Sequence, residues 1–529
     1  MVPITDKVDE IFATWDKSDS PGCSLAIMKN GEVIYKRGYG RSNLEYDIPI
    51  SPTTIFHVAS VSKQFTAMAI AMLAEERKLS LDDDVHKYVP ELPDFDETIT
   101  VRHLIHHTSG LRDQWELLML AGWRMDDVIT KDDVLELMGD QRELNFKPGS
   151  EYLYCNTGYT LMAVIVERVS GKSFPDYCAE NIFHPLGMCN THFHDDHRMI
   201  VKNRAYSYAA KDDEDFQHSV LSFAIAGATS LFTTVEDLAL WDQNFYEAAI
   251  GGKAVIEQMR NRGVLNDGEQ IKYAFGLRIT DYRGLKVEEH SGGDAGYRSH
   301  LMRFPEQHFS VAILCNLGAM NPGELARRIA DLYLVDLFPE KIETVDIIEL
   351  PEVQLTSKVG IYYDAATFLT QQLEIREGKL VVTNGPGLEL LPLANNRFIL
   401  DIYPIEFRFA HAEEDGQVQL QLIRGKDKPV IYEKVKPVFL KVEEKTAYVG
   451  DYFSPELGVT YKVMLEEDQL VLKRRKHGKI PLLPTIPDGF TTDRFSLIFS
   501  RDGRKNISGF RLSWGRIRNL LFMRARAYR

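Results

Sequence analysis

Cysteine is scarce. Cys23, Cys155, Cys178, Cys189 and Cys315 are the five, odd in number and without a C-x-x-C pair. A disulfide framework is therefore not expected, and a reducing, cytoplasmic compartment is. Long apolar runs are missing as well. The best window, around Phe65 to Ala74, is ended by Glu75, Glu76 and Arg77, well short of the roughly 18 residues a membrane span needs. Met1 to Ile11 carries Asp6, Asp9 and Glu10 where a secretion signal would need an apolar core. Positive charge is in deficit: Lys plus Arg number 62 against 77 Asp plus Glu, a net charge of −15. Such a balance repels phosphate backbones and anionic lipid, so neither nucleic acid nor a membrane surface is expected as partner. What remains is ordinary for a globular chain, with 44% apolar and 26% charged residues. At roughly 100–200 residues per domain, 529 residues call for two to four domains.

The first part reads as mixed α/β. Cys23 to Met28 and Glu32 to Tyr35 flank Lys29-Asn30-Gly31, a strong hairpin signal. An Ala- and Met-rich helix is predicted over roughly Val61 to Arg77. Met162, Ile165, Val166 and Val169 recur at helical spacing until Gly171. Ser299 to Arg303 and Phe309 to Cys315 read as strands, and a last helix lies near Gly323 to Leu337. Hairpins at both ends with helices between them point to an antiparallel sheet flanked by helices.

After Pro339 helical periodicity fades and an internal repeat begins. Val359-Gly360-Ile361-Tyr362 matches Val449-Gly450-Asp451-Tyr452, and Leu380-Val381-Val382 matches Leu470-Val471-Leu472, both 90 residues on. Leu390-Leu391-Pro392 matches Leu482-Leu483-Pro484 and Phe398 matches Phe490, both 92 residues on; Phe409 matches Phe499. Two similar antiparallel β domains follow from this order, and barrels are expected because closure removes exposed edges.

Three short motifs could carry chemistry. Ser60-Val61-Ser62-Lys63 has S-x-x-K spacing, which on a helix start sets the Lys63 amine beside the Ser60 hydroxyl. A serine needs a base to become a nucleophile, and a neutral lysine in an apolar setting can serve. In isolation the tetrapeptide is common on solvated helices; Phe56, Val58, Ala59, Phe65 and Met68 around it shift the balance. Tyr154-Cys155-Asn156 follows the turn Lys147-Pro148-Gly149 and precedes a helix starting near Gly158, so a phenol and an amide can project into a cleft. Against that stands a merely buried aromatic. His290-Ser291-Gly292-Gly293 brings glycines that let a strand approach a substrate and free backbone N–H groups for an oxyanion. The bland alternative is a glycine-rich turn.

Together these motifs resemble the serine β-lactamase and penicillin-binding-protein superfamily, in the branch of class C β-lactamases, D-aminopeptidases and related esterases. Ser60-x-x-Lys63, Tyr154-x-Asn156 and His290-Ser291-Gly292 stand in family order, supported by Ile55 to Ser60, Val101 to Leu111, and Ala226-Gly227-Ala228 through Asp237-Leu238. The resemblance covers about residues 5 to 337. With the repeat, it implies the layout of bacterial D-aminopeptidase: an α/β (α+β) β-lactamase-like domain over 1–340, then two small lipocalin-like antiparallel β-barrels over 341–438 and 439–529.

The resemblance also implies roles. Ser60 is the nucleophile, Lys63 with Tyr154 the acid–base pair, and Asn156 and His290 position substrate. The N–H groups of Ser60 and Gly293 form the oxyanion hole. Ser291, Gly292, Arg298, and Lys476 and His477 of the polar loop 473–479 are candidate substrate contacts. The expected reaction is acyl transfer through an acyl-enzyme on amide or peptide bonds next to an N-terminal residue. Its D-amino-acid preference comes from the resemblance alone. The alternatives are a carboxylesterase or weak β-lactamase with the same site, or a non-catalytic penicillin-binding-like protein. The third motif departs from the Lys-Thr-Gly of many relatives; a histidine is mostly neutral at pH 7, which weakens the case for a carboxylate-bearing substrate. No cofactor is expected. The partner is a small molecule or short peptide, and a homo-oligomer stays an open alternative. His192, His194 and His197 with Asp195 and Asp196, and His103, His106 and His107, form metal-like clusters without H-E-x-x-H; a polar surface loop is expected for the first and a structural role for the second.

Overall fold

This computed structural model describes residues 3–211, 215–339, 346–383, 387–400, 405–411, 418–424, 428–436, 438–474 and 476–525. Two compact units divide the chain. One holds residues 1–114, 124–139 and 146–342, the other 115–123, 140–145 and 343–529. The expected boundary at 340/341 and Arg475 of the polar loop lie outside the described residues.

The first unit is built on a six-stranded antiparallel sheet. Its strands are β1 (Cys23–Lys29), β2 (Glu32–Tyr39), β3 (Arg278–Tyr282), β4 (Leu285–Asp294), β5 (Tyr297–Phe304) and β6 (Phe309–Cys315), in the order β3-β4-β5-β6-β1-β2. The ends of the sequence segment thus meet at the centre, with Leu25 opposite Ile313 and Ile27 opposite Val311. β6 is buried along its whole length, as expected of a central strand covered on both faces. Val8, Ile11 and Phe12 of α1 (Ile4–Phe12) pack in one core with Leu25, Met302, Val311 and Ile329.

Two further helices carry the site. In α2 (Lys63–Glu75) ten of thirteen residues are buried, and α3 (Asn156–Ser170) is buried from Asn156 to Val166. Helices apolar on nearly all sides belong in the interior. Gly171 ends α3 in the left-handed region, φ +72°, as the sequence indicates.

In the second unit the repeat is visible in three dimensions. Gly360–Tyr363 opens an eight-stranded closed barrel, and Gly450–Ser454 belongs to a nine-stranded antiparallel sheet. The end strands of that sheet, Gly478–Pro481 and Leu483–Pro484, are separated by Leu482 alone, so the sheet is nearly closed. Matched residues do matched jobs. Tyr362 donates to the Lys358 carbonyl (2.8 Å) and Tyr452 to the Tyr448 carbonyl (2.7 Å). The Phe398–Phe409 ring pair, 5.4 Å apart, has its counterpart in Phe490–Phe499 at 5.5 Å. No described helix is long and apolar enough to cross a membrane.

Candidate active site

Ser60 stands on a 3-10 turn, Ala59–Ser62, that leads into α2. The sequence predicts an α-helical start here. In the tighter 3-10 turn residues i and i+3 eclipse, which brings Ser60 and Lys63 together more directly. Ala59, just before the serine, holds φ +47°, a left-handed conformation costly for a residue with a Cβ and characteristic of built sites. Ser62 is spent on structure: its hydroxyl donates to the Ala59 carbonyl (2.5 Å) and accepts from the Leu231 N–H (3.0 Å).

Lys63 is fully buried. Its Nζ lies 3.0 Å from Ser60 Oγ, 2.8 Å from Asn156 Oδ1 and 2.7 Å from the Ala228 carbonyl. The two fixed acceptors matter. In a neutral amine they take both N–H groups, and the lone pair is left for the Ser60 hydroxyl proton. The rings of Tyr154 and Tyr159 stand 4.9 and 5.5 Å from Nζ, a π-lined pocket that also suits the ammonium formed when the proton arrives.

Asn156 is the first residue of α3, two positions earlier than the sequence suggests. Its backbone N–H and its Nδ2 both donate to Asp113 Oδ2, at 2.7 and 2.9 Å. Tyr154 leans on His107, with ring centroids 4.2 Å apart. His107 in turn receives the Cys155 N–H on Nδ1 (3.0 Å), and its carbonyl accepts from Leu153 (3.0 Å). Burial holds the His107 imidazole well below its ordinary pKa, with Lys63 reinforcing the effect, so it stays neutral.

The third motif lies within β4. Gly292 is pressed against the serine turn: a Cβ there would stand 2.2 Å from the Val58 carbonyl and 2.9 Å from the Ser60 N. Only glycine allows that approach. His290 is buried with both ring nitrogens engaged. Its Nδ1 donates to the Ser291 carbonyl (2.7 Å), which leaves Nε2 to accept from the Tyr273 hydroxyl (2.9 Å). Burial first, then Lys63, lowers its pKa to about 3. It is a neutral wall of the site and carries no standing positive charge.

The structure thus gathers Ser60, Lys63, Tyr154, Asn156, His290 and Gly292. Gly293 pairs across the sheet with Arg298, whose side chain donates to the Ala295 and Tyr297 carbonyls. Ser291 turns to His300 Nδ1, 2.8 Å away. In the second unit, Lys476 is exposed and His477 donates to the Trp123 carbonyl (3.1 Å). The histidine clusters dissolve into separate duties. His103 closes a capping box with Thr100, His106 donates to the Asn261 carbonyl, and His192 and His194 pack on Phe232. Among the described residues no group of three or more side chains could hold a metal. Sequence reasoning missed Tyr273, Asp113 and the part played by His107; the only signal was that His107 falls inside the stretch Val101 to Leu111.

Comparison with known proteins shows the family. The sequence profile of the Beta-lactamase family matches residues 8–335. The chain belongs to the beta-lactamase family. This family member is 27% identical to D-aminopeptidase of Gluconobacter oxydans over 358 residues, a match covering 68% of the chain and 66% of that relative, just under two thirds of its length. It is 28% identical to penicillin-binding protein 4* of Bacillus subtilis, covering 76% of the chain and 93% of the relative. Among solved structures, the octameric penicillin-binding protein homologue from Pyrococcus abyssi superposes with a TM-score of 0.57 at 25% identity, over 90% of this chain and 98% of that one. D-amino acid amidase from Ochrobactrum anthropi shares the fold at 21% identity, with a TM-score of 0.54 over 63% of this chain and 99% of that one.

Proposed function

We propose that this beta-lactamase-family protein is a serine hydrolase that cleaves amide or peptide bonds next to an N-terminal residue through an acyl-enzyme. The observation that carries the reading is the placement of Lys63 Nζ 3.0 Å from Ser60 Oγ and within 2.8 Å of two fixed oxygens, Asn156 Oδ1 and the Ala228 carbonyl. Ser60 Oγ attacks the scissile carbonyl carbon and its proton passes to Lys63. The negative oxygen of the tetrahedral intermediate is received by the N–H groups of Ser60 and Gly293. Collapse expels the amine, which takes its proton by way of Tyr154, and water then releases the acyl group by the reverse route. Asn156 orients Lys63, and His290 shapes the pocket. Residues 1–340 act as the hydrolase domain, and 341–438 and 439–529 as two barrel domains. Lys476 and His477 are carried as candidate substrate contacts.

Substrate class rests on the relatives. One is named a D-aminopeptidase, another a D-amino acid amidase, and an uncharged His290 favours substrates without a carboxylate beside the scissile bond. Homo-oligomerisation is proposed by analogy with the octameric relative. The test is hydrolysis of matched D- and L-aminoacyl anilides, short-chain esters and a chromogenic cephalosporin. Preference for D-aminoacyl anilides supports the reading. Turnover confined to esters would make the protein an esterase with the same site.

A further inference from the structure

An asparagine amide has two nearly isosteric ends, and Lys63 functions only if the oxygen end faces it. A reversed Asn156 would set Nδ2 against the Lys63 amine. Its hydrogens would then compete with the Ser60 hydroxyl for the lone pair that must take the Ser60 proton. The neutral Lys63 amine, with N–H groups and a lone pair, can face either end of the amide and so does not by itself prevent this reversal. The residue that does is Asp113, fully buried and 43 positions upstream, whose Oδ2 accepts from Asn156 Nδ2 at 2.9 Å and from the Asn156 backbone N–H at 2.7 Å. With the amide reversed, Oδ1 would meet the carboxylate oxygen, a repulsive contact in place of an attractive one.

We propose that Asp113 is a positioning residue that locks the Asn156 amide with Oδ1 toward Lys63 and so aims the Lys63 lone pair at Ser60. This rests on the acyl-transfer reading above. The competing view is that Asp113 merely caps the first turn of α3, where a carboxylate is favourable. The two differ in what else moves. Around Lys63 stand the Ser60 hydroxyl, the Tyr154 and Tyr159 rings, the imidazoles of His107 and His290, and the Asn156 amide with Asp113 behind it. Asp113 is the anion among these groups, so its removal disfavours the Lys63 ammonium.

The experiment measures the rate at which a fluorophosphonate phosphonylates Ser60, with loss of fluoride, against pH, beside thermal unfolding, in the wild type, Asp113→Asn, Asn156→Ala and the double variant. Asp113→Asn should slow phosphonylation about 10- to 100-fold, part of the effect of general-base catalysis, and move the acid limb to lower pH. Added to Asn156→Ala it should cause no further loss, because it acts through that residue. The swap Asp113→Asn/Asn156→Asp, which reverses donor and acceptor, should be phosphonylated at least about tenfold faster than Asn156→Asp alone; this holds the test open if Asp113→Asn folds poorly. A lowered melting temperature with rate and acid limb unchanged, additive losses in the cycle, or a swap no better than Asn156→Asp would each overturn the proposal. A wild type unlabelled at Ser60 would overturn the acyl-transfer reading itself, and the role of Asp113 with it. A labelled wild type with any of the other results overturns the role of Asp113 alone.

Discussion

The two units bury opposite things. Around Ser60 the interior holds Lys63, Asp113, Asn156, His107 and His290, all buried and each tied by hydrogen bonds. Around Tyr362 and Tyr452 the interiors are aromatic and aliphatic, and the same ring pair recurs in both repeats. Buried polar groups are costly unless every member is satisfied, whereas buried rings stabilise through area and packing. The contrast teaches that the first unit gives part of its core to the polar groups of the proposed site, while the cores of the repeats are packed rings and aliphatic side chains.

Substitutions can break that contrast from either side. The largest effect is expected at Lys63. Lys63→Met keeps the volume and removes the base, so the acylation rate of Ser60 should fall on the order of 10³-fold, with a stability loss of no more than about 1–3 kcal/mol for each of the Asn156 and Ala228 oxygens that lose this donor. Phe409→Ala and Phe499→Ala should do the reverse, each costing about 3–5 kcal/mol in denaturant unfolding of the second unit and leaving acylation intact. Tyr154→Phe should slow turnover on the order of 10²-fold, measured as kcat on an aminoacyl anilide. A drop of less than about threefold would remove the phenol from the mechanism.

Acid should separate the two units as well. His106 is held at about 4 and His290 at about 3, and His107 is well below its ordinary value, all chiefly by burial. The unfolded chain takes up these protons near pH 6.5 and the folded chain does not. Stability of the first unit is therefore full above pH 6.5 and falls as pH drops toward 4, by about 1.4 kcal/mol per pH unit for each histidine. Urea unfolding at pH 7 and pH 5, followed separately in each unit by hydrogen exchange, checks this; equal acid sensitivity in both units would contradict it. The smallest effect is one of specificity. His290→Lys should raise kcat/KM on carboxylate-bearing substrates relative to neutral ones by several-fold, as a ratio within one variant; an unchanged ratio would place carboxylate recognition elsewhere.

Much of the site is legible in the sequence because it is written in short spacings. Ser60 to Lys63, Tyr154 to Asn156 and His290 to Gly292 each fit within four residues. The repeat is legible because its matches keep an offset of 90 to 92 residues. What escapes the sequence are partners brought together only by folding. Tyr273 meets His290 across 17 positions, Asp113 meets Asn156 across 43, and His107 meets Cys155 across 48. No local pattern marks such pairs. Equally illegible is the grouping of residues 115–123 and 140–145 with the second unit, where Tyr461 donates to the Leu120 carbonyl at 2.7 Å. The turn at Ala59 is hidden for a different reason: alanine gives no hint of a left-handed backbone.

The central claim is that a buried lysine makes Ser60 a nucleophile. Intact-mass analysis after treatment with a fluorophosphonate, run on the wild type, Ser60→Ala and Lys63→Met, tests it most directly. The account predicts one adduct per wild-type chain, mapped to Ser60, none on Ser60→Ala, and labelling slowed on the order of 10³-fold on Lys63→Met. Stoichiometric labelling of Ser60→Ala, or Lys63→Met labelled at the wild-type rate, would contradict it.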